Sequence, residues 1–337
     1  MNLISIVMSV RNEQDHLSET LTSILHQTYS KWELIIVDDG STDKTSEIIH
    51  SHAIIEKASF ISIPKSIGLP AALNLGCKKA KGNLIARIDG DDVMHASRLD
   101  QQLKEFKSND KLILCGSNAD VIDKRGRLIY TTNMPVNDFE IRPVNLIRNC
   151  FVHPSVMFRH NAQLINEGIY DETFKTTQDW MLWSKLLKYG ECKNIQEALI
   201  SYRKHDRSTT SLHHDFQIKN SIRCQAHYFK NMFPKDEFKI ECFEFINKGL
   251  MADKKALQTN YTDTADTAIR TVHYFLNLFS ENKIFWKPAI ILIFSRVLRL
   301  CFHRPWKAQH IKLLWLLISN MNDVLQAIFR LLNEKFR

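Results

Sequence analysis

The chain has 337 residues, 44% hydrophobic and 24% charged, the balance of a globular protein with enough apolar material for a large core. Its net charge is +8 at pH 7, and the excess lies at one end: residues 283–337 carry ten Lys/Arg against Asp323 and Glu334. The neutral body argues against a nucleic-acid-binding protein, and the basic tail points to an anionic partner.

The first residues, Met1-Asn2-Leu3-Ile4-Ser5, have none of the basic region, apolar run and cleavage site of a signal peptide, so a cytoplasmic location is expected. Residues 3–10 are short, apolar and β-branched and predict a buried strand. Leu17, Leu21, Ile24 and Leu25 line one face of a helix over 17–25. A second strand over 32–37 runs into Asp38-Asp39-Gly40-Ser41-Thr42-Asp43, where Ser41 or Thr42 is expected to cap a helix through Ile49. Residues 60–63 predict a third strand, 70–80 a third helix and 83–88 a fourth strand. Strands and helices alternating through short loops predict parallel βαβ units and an α/β sheet. Ligands of such sheets sit beyond the carboxyl ends of the strands, where both acidic clusters fall. The GxGxxG fingerprint and the P-loop are absent, which excludes a glycine-rich phosphate cradle.

A helix over 98–106 follows, then strands over 112–116, 128–130 and 151–158, with Pro154 predicting an edge or a kink in the last. A helix opens at Gln178 and runs to about Tyr189, and a final strand covers 198–203. From Asp215 onward the pattern is helical. Seven cysteines are scattered singly with no CxxC pair, which leaves free thiols in a reducing compartment.

The apolar run Leu84-Ile85-Ala86-Arg87-Ile88 stops at Asp89-Gly90-Asp91-Asp92. Carboxylates this close repel and raise one another's pKa unless a positive charge lies between them. The stretch fits either a divalent cation held by oxygen ligands at a strand end or an acidic surface turn at Gly90. Asp38 and Asp39 fit a ligand role or simple turn formation before Gly40. Asp179 falls in the first turn of its helix, where the dipole favours a carboxylate in any case. Arg87 and Arg98 are candidates for phosphate contacts, with Arg98 expected in a salt bridge on its helix face. Trp180 and Trp183, three apart on one helix, predict core. His153 is expected to be structural, with lining of an acceptor site as the alternative.

Taken together, Ile4-Ser5-Ile6-Val7-Met8-Ser9, Ser23-Ile24-Leu25-His26-Gln27-Thr28-Tyr29 and Leu34-Ile35-Ile36-Val37-Asp38-Asp39-Gly40-Ser41-Thr42-Asp43 resemble family 2 glycosyltransferases of the GT-A fold. Ile88-Asp89-Gly90-Asp91-Asp92 is similar to the family's DxD element, Gln178-Asp179-Trp180 to its E/Q-D-[YW] element and Tyr202-Arg203-Lys204-His205 to its Y-R-x-H element. The family commonly has Glu where this chain has Gln178. The resemblance covers about residues 1–210. It implies a mixed, mainly parallel sheet flanked by helices as the catalytic domain (1–215), after which the helical pattern and the charge of the chain give a helical extension (216–282) and a basic amphipathic tail (283–337). It further implies an inverting, metal-dependent transferase that uses a UDP-sugar. In this reading Asp39 recognises uracil through its N3–H, with Asp38 beside it, and Ser9 and Arg11 touch the nucleotide base. Asp89 lies near the ribose, Asp91 binds Mg²⁺ or Mn²⁺, and Asp92 stands behind it. Asp179 is the general base, and His205 approaches the metal or the diphosphate.

Two other classes share parts of these motifs. Asp89-Gly90-Asp91-Asp92-Val93 fits the DxDx[TV] pattern of haloacid-dehalogenase-like phosphatases, with Asp89 as nucleophile. That family wants its motif on the first strand, and three strands precede it here. A receiver-type signalling domain would use an acidic pair, but Asp38-Asp39 ends the wrong strand and residues 150–215 are left over. In the tail, residues 284–302 are apolar but broken by Lys287, Pro288, Arg296 and Arg299, too interrupted to span a bilayer. Residues 311–332 carry a helical stripe of Leu314, Leu317, Ile318, Met321, Leu325, Ile328, Leu331 and Leu332. With Trp286, Trp306 and Trp315 among basic residues, the tail is expected to lie in an anionic membrane interface, as suits a lipid-linked saccharide acceptor. The alternatives are packing on the catalytic domain and a homodimer contact.

Overall fold

All seven residues of the first strand, β1 (Ile4–Val10), are buried, the mark of a strand inside a sheet covered on both faces. The computed structural model describes residues 3–160, 168–204 and 214–251, together with 271, 274, 275 and 278. After β1 come α1 (Leu17–Leu25), β2 (Trp32–Asp39), α2 (Thr45–Ser51), β3 (Ala58–Ile63), α3 (Leu69–Lys79) and β4 (Leu84–Arg87). Then follow β5 (Val93–Met94), α4 (Arg98–Ser108), β6 (Leu112–Ile122), β7 (Leu128–Thr131) and α5 (Asp138–Asn145). The remaining elements are β8 (Met157–Arg159), α6 (Gln178–Leu186), β9 (Glu191–Arg203), α7 (His214–Met232) and α8 (Ile240–Met251).

The strands form one mixed sheet in the order β3-β2-β1-β4-β8-β6-β9-β5, with β7 paired to β6. The first four are mutually parallel, in register at Val10↔Asp38, Asp39↔Ile63 and Val7↔Arg87. Their carboxyl ends therefore share one rim, which carries Asp38 and Asp39 at the end of β2 and Asp89, Asp91 and Asp92 just after β4. β8 runs antiparallel to both β4 and β6. Ile4, Ile6, Met8, Leu34, Ile36, Leu84 and Ala86 pack against Leu17, Leu21 and Ile24 of α1 in the main core. Gln27, after α1, ties this layer to the chain beyond β5: its Nε2 donates to His95 O (2.9 Å) and its Oε1 accepts from Leu99 N (3.2 Å).

Several expectations shift. Residues 151–158 are not one strand. Pro154 opens a 3-10 turn (His153–Ser155), and only β8 is extended. The final strand starts at Glu191 instead of 198, because its first half carries exposed charge that hides its pairing with β6. Helix α5 was not legible, since Pro143 sits inside it, yet Asn137 and Glu140 form a capping box at its start. Neither Ser41 nor Thr42 caps α2; the Asp43 carboxylate accepts from Thr45 N instead (3.0 Å). The six cysteines among the described residues are free and buried.

Arg98 makes no salt bridge among the described residues. It is fully buried and donates from Nη2 to Arg87 O (2.8 Å) and Val156 O (3.0 Å), and from Nε to Gln102 Oε1 (3.1 Å). Gln102 in turn donates to Cys115 O and Ser155 O, both at 2.9 Å. Burial and the neighbouring Arg87 charge push the Arg98 guanidinium down to about 9. The pair of side chains locks β4, β6 and the turn before β8 together under the rim.

By contacts the chain divides into two units, Met1–Lys235 and Asp236–Arg337. In the first, α7 packs on α6, with Asn220 Nδ2 on Thr176 Oγ1 (3.0 Å). In the second, Phe243 of α8 stacks on Phe238 (4.4 Å between centroids) and meets Phe275 edge-on (5.2 Å). The predicted tail helix lies outside the described residues, and no described helix is long and apolar enough to cross a membrane.

Arg98→Met leaves the carbonyl of Arg87 without this donor and strips Gln102 of its partner. It is expected to cost about 3 kcal/mol of unfolding free energy in urea titration; a change below about 1 kcal/mol would show that Arg98 does not brace the sheet.

Candidate active site

The rim is built first by two loops that cap each other. After β1, Asn12 adopts a left-handed conformation (φ +58°), which Asn tolerates better than most residues. Its N–H donates to Ser41 Oγ (3.0 Å), and its Oδ1 accepts from Thr42 N (2.8 Å). Glu13 N donates to Thr45 Oγ1 (2.8 Å) and Gln14 N to Asp43 Oδ2 (3.2 Å). The residues after Asp38 and Asp39 are thus spent on holding the two loops together. Asp38 is buried and its Oδ1 accepts from Ser41 N (2.9 Å). Asp39 is buried and gathers the loop before α3: Oδ1 accepts from Ile67 N (2.7 Å), and Oδ2 from Ser66 Oγ (2.7 Å) and Gly68 N (3.0 Å). Gly40 (φ +73°) lets that loop close, since a Cβ there would stand 2.8 Å from Ser66 N. Ser9 is buried at the end of β1, opposite Val37, and Arg11 is exposed just beyond it.

The aspartate turn after β4 is pinned from several directions. Arg87, itself buried, donates to Ile88 O and pairs with Asp89 Oδ1. Thr20 Oγ1 donates to Gly90 O (2.9 Å). Arg203, at the end of β9, donates from its backbone N to Asp92 Oδ1 (2.8 Å) and from Nε to Asp91 O (2.9 Å), while Nη2 pairs with Glu19 (2.7 Å). A Cβ on Gly90 would lie 2.7 Å from Val10 Cγ1, so glycine is required for this approach. Arg87 is therefore committed to the protein's own carboxylate and carbonyl, contrary to the expected phosphate contact.

Charge is concentrated here. Burial raises the Asp89 carboxyl, Arg87 opposes the rise and Asp91 adds to it. Burial pushes Asp92 well above the usual carboxylate range, and the Asp91 and Asp89 charges push it further. Asp92 Oδ2 is buried without a hydrogen-bond partner. Hard oxygen donors crowded at a strand end suit Mg²⁺ or Mn²⁺. Asp91, half-buried at the rim, with Asp89 beside it, would hold such an ion. Among the described residues no three His, Cys, Asp or Glu side chains form a complete ligand set. His205 lies outside the described residues.

Asp179, in the first turn of α6, feels the charge of Asp89. Thr177, the residue before this helix, has φ +59°, a strained conformation for a β-branched side chain that aims the helix start. Asp179 Oδ2 accepts from Asn149 Nδ2 (2.6 Å). Burial raises its pKa, with the Trp180 N–H and Asn149 opposing and the Asp89 charge adding. The buried Tyr170 feels both Asp179 and Asp89. Its hydroxyl meets His153 Nε2 (3.0 Å), and Asn74 clamps its backbone, with Nδ2 on Tyr170 O and Oδ1 on Tyr170 N, both at 2.8 Å. His153 stands edge-on to Trp183 (6.0 Å), and Trp180 and Trp183 are core as expected.

Asp89 thus interacts electrostatically with Asp91 and Asp92 in its own turn and with Asp179 on α6, and Asp38 and Asp39 lie at the end of β2 in the same sheet. Sequence reasoning missed Arg203, Thr20, Asn149, Tyr170 and Asn74. Arg203 lay inside a quoted motif; the others carry no local signal, because each acts across long sequence separations.

The family described as glycosyl transferase family 2 matches residues 5–174. The chain is similar to the O-antigen biosynthesis glycosyltransferase WbnJ of Escherichia coli, 33% identical over 217 residues, covering 62% of this chain and 82% of that one. Among solved structures it is similar to S. aureus TarS 1-349 in complex with UDP-GlcNAc, at 14% identity and TM-score 0.59, with 89% of each chain covered. It is also similar to the mannosyltransferase PcManGT from Pyrobaculum calidifontis in complex with GDP-Man and Mn²⁺, at 14% identity and TM-score 0.51, covering 90% of this chain and 88% of that one. The fold is of the GT-A type.

Burial and the Arg87 charge hold the His153 imidazole well below its ordinary pKa. Its ring is therefore expected to stay neutral from pH 8 down past the ordinary histidine value of about 6.5. Proton-detected NMR of its ring should show no titration in that window; a midpoint near the ordinary value would contradict the buried cleft floor.

Proposed function

From the premise that the chain belongs to glycosyl transferase family 2 and is a glycosyltransferase, we propose that it moves a sugar from a UDP-sugar to a saccharide hydroxyl, with inversion at the sugar carbon. The observation that supports the reading is that Asp179, held by Asn149, feels the charge of Asp89 in the pinned aspartate turn, and burial raises its pKa.

Asp39 supports a uridine donor. A carboxylate offers about four acceptor positions. Three are taken by Ile67 N, Ser66 Oγ and Gly68 N, so Oδ1 keeps one for the N3–H of uracil. Ser9 and Arg11 flank the base, and Asp38 shapes the turn beside it. Asp89 reaches the ribose, and Asp91 holds the cation with Asp92 behind it. Bound there, Mg²⁺ or Mn²⁺ would supply Lewis-acid charge against the developing diphosphate. Asp179 takes the proton of the acceptor hydroxyl as that oxygen attacks. Its raised pKa makes it a stronger base than an ordinary carboxylate. One base opposite the leaving group gives a single displacement. Asn149 fixes the carboxylate, and Tyr170 and His153 close the floor. The phosphatase alternative needs Asp89 as a nucleophile, and Asp89 is committed to Arg87.

The relative named for O-antigen biosynthesis supports an acceptor in surface polysaccharide assembly, lipid-linked and presented at the inner face of the cell membrane. The basic tail, 283–337, would hold the enzyme there as a peripheral protein, with dimerisation as its other use.

Asp179→Asn is expected to keep UDP affinity and lose transfer by about three orders of magnitude, measured by UDP release across a panel of UDP-sugars; retained transfer would place the base elsewhere. Because the folded pKa of Asp179 is raised, its active, ionised form is lost as pH falls through a range above the ordinary carboxylate value. Asn149→Ala removes a hydrogen bond that favours the ionised form. The acid limb of kcat/KM should therefore move to higher pH; a limb that stays in place or moves down would show that Asp179 does not set it.

A further inference from the structure

Among the described residues, the longest run of exposed large apolar side chains lies on one hairpin. The turn after β6 leads into β7, and every residue from 124 to 131 is exposed. Leu128 is 62% exposed, Ile129 53% and Tyr130 54%. Successive strand side chains point to opposite faces, so neither face of β7 is covered. Its inner edge pairs with β6, and its outer edge pairs with no described strand. An apolar strand with an open edge and two bare faces is a hazard that proteins ordinarily blunt or cover.

This hairpin is stiff. The Asp123 carboxylate accepts from Arg125 N (2.8 Å) and Arg127 N (3.0 Å) and pairs with the Arg127 guanidinium (2.7 Å). Asp123 N donates to Arg127 O (2.9 Å), and Thr131 Oγ1 donates to Asp120 Oδ1 (2.6 Å). Arg127 is neutralised by Asp123, whereas Lys124 and Arg125 meet no carboxylate among the described residues.

We infer that the hairpin over 120–131 docks on a lipid surface with anionic headgroups. A protein partner would cover one face or add a strand to the open edge, and either leaves apolar side chains bare. A fluid acyl layer accepts both faces. Tyr130 has the amphipathic ring favoured at membrane interfaces, and Lys124 and Arg125 complement anionic headgroups. The base of the hairpin is tied to the active site: Arg203 Nη1 donates to Asp123 O (3.4 Å) while Nε holds Asp91 O (2.9 Å). Docking would hold the cleft close to the surface, where a lipid-linked acceptor is presented. The docking rests on the proposed function only for that last benefit, and it is separate from any role of the tail.

The test is flotation of the full chain with vesicles containing about one-third phosphatidylglycerol and with pure phosphatidylcholine vesicles. Replacing the apolar run (Leu128→Ser, Ile129→Ser and Tyr130→Ser together) should lower the vesicle-bound fraction about tenfold. Circular dichroism should be unchanged. Lys124→Glu with Arg125→Glu should lower binding to the anionic vesicles selectively. If the triple variant floats as well as the parent, the inference is overturned. It is equally overturned if that variant turns a dimer into a monomer in light scattering with vesicle binding intact, since the hairpin would then join two copies. Ile129→Cys carrying an environment-sensitive fluorophore should shift blue on anionic vesicles, and no shift would count against it. UDP-sugar turnover, read without vesicles, reports separately on the donor reading.

Discussion

Carboxylates forced together at the end of β4 are the constraint around which the first unit is built. Left alone, Asp89, Asp91 and Asp92 would splay apart or take up protons. They stay because Arg87 neutralises Asp89 from within the strand, Thr20 holds the carbonyl of Gly90, and Arg203 holds Asp91 and Asp92 from the far side of the sheet. The groups that do this are themselves buried, so the turn cannot relax without exposing them or breaking β4 and β9. Arg98 and Gln102 complete the support underneath, as a second cation that binds carbonyls instead of carboxylates. A turn fixed in this way keeps three carboxyl groups together at the rim although their ionised forms repel, the arrangement the proposed cation site would use.

The rest of the rim is rigid for related reasons. The loops after β1 and β2 satisfy each other's backbone groups, so this edge of the rim, to which the proposal assigns the nucleotide base, is set in advance. On the opposite side, Asn74 clamps Tyr170, Tyr170 meets His153, and Asn149 holds Asp179. Asp179 feels the Asp89 charge, so binding of a cation at the turn would also lower its pKa. Asp179 and the aspartate turn are therefore electrostatically coupled, and the proton affinity of Asp179 depends on what occupies the turn.

Much of this was legible in the chain. The strands from Ile4 to Val10 and from Trp32 to Asp39 announce themselves as short β-branched runs, and α1, α3 and α4 as apolar stripes of helical period, all within about two residues. Acidic residues after parallel strands pointed to the rim. Proline misled twice: Pro154 turned a supposed strand into a 3-10 turn, and Pro143 concealed α5. Arg87 and Arg98 were expected at phosphate, with Arg98 in a helix-face salt bridge, and are buried braces, because one-dimensional patterns cannot tell a paired buried arginine from a solvated one. Arg203 reaches Asp92 across 111 positions, a contact no local period can announce.

The most direct test is calorimetric titration of UDP into the full chain with and without Mn²⁺, repeated on Asp91→Asn. If the pinned turn holds a cation for the diphosphate, Mn²⁺ should tighten UDP binding at least about tenfold in the parent and hardly at all in the variant. Binding that ignores Mn²⁺, or a manganese effect that survives the loss of the Asp91 charge, would contradict a nucleotide–cation site at the end of β4.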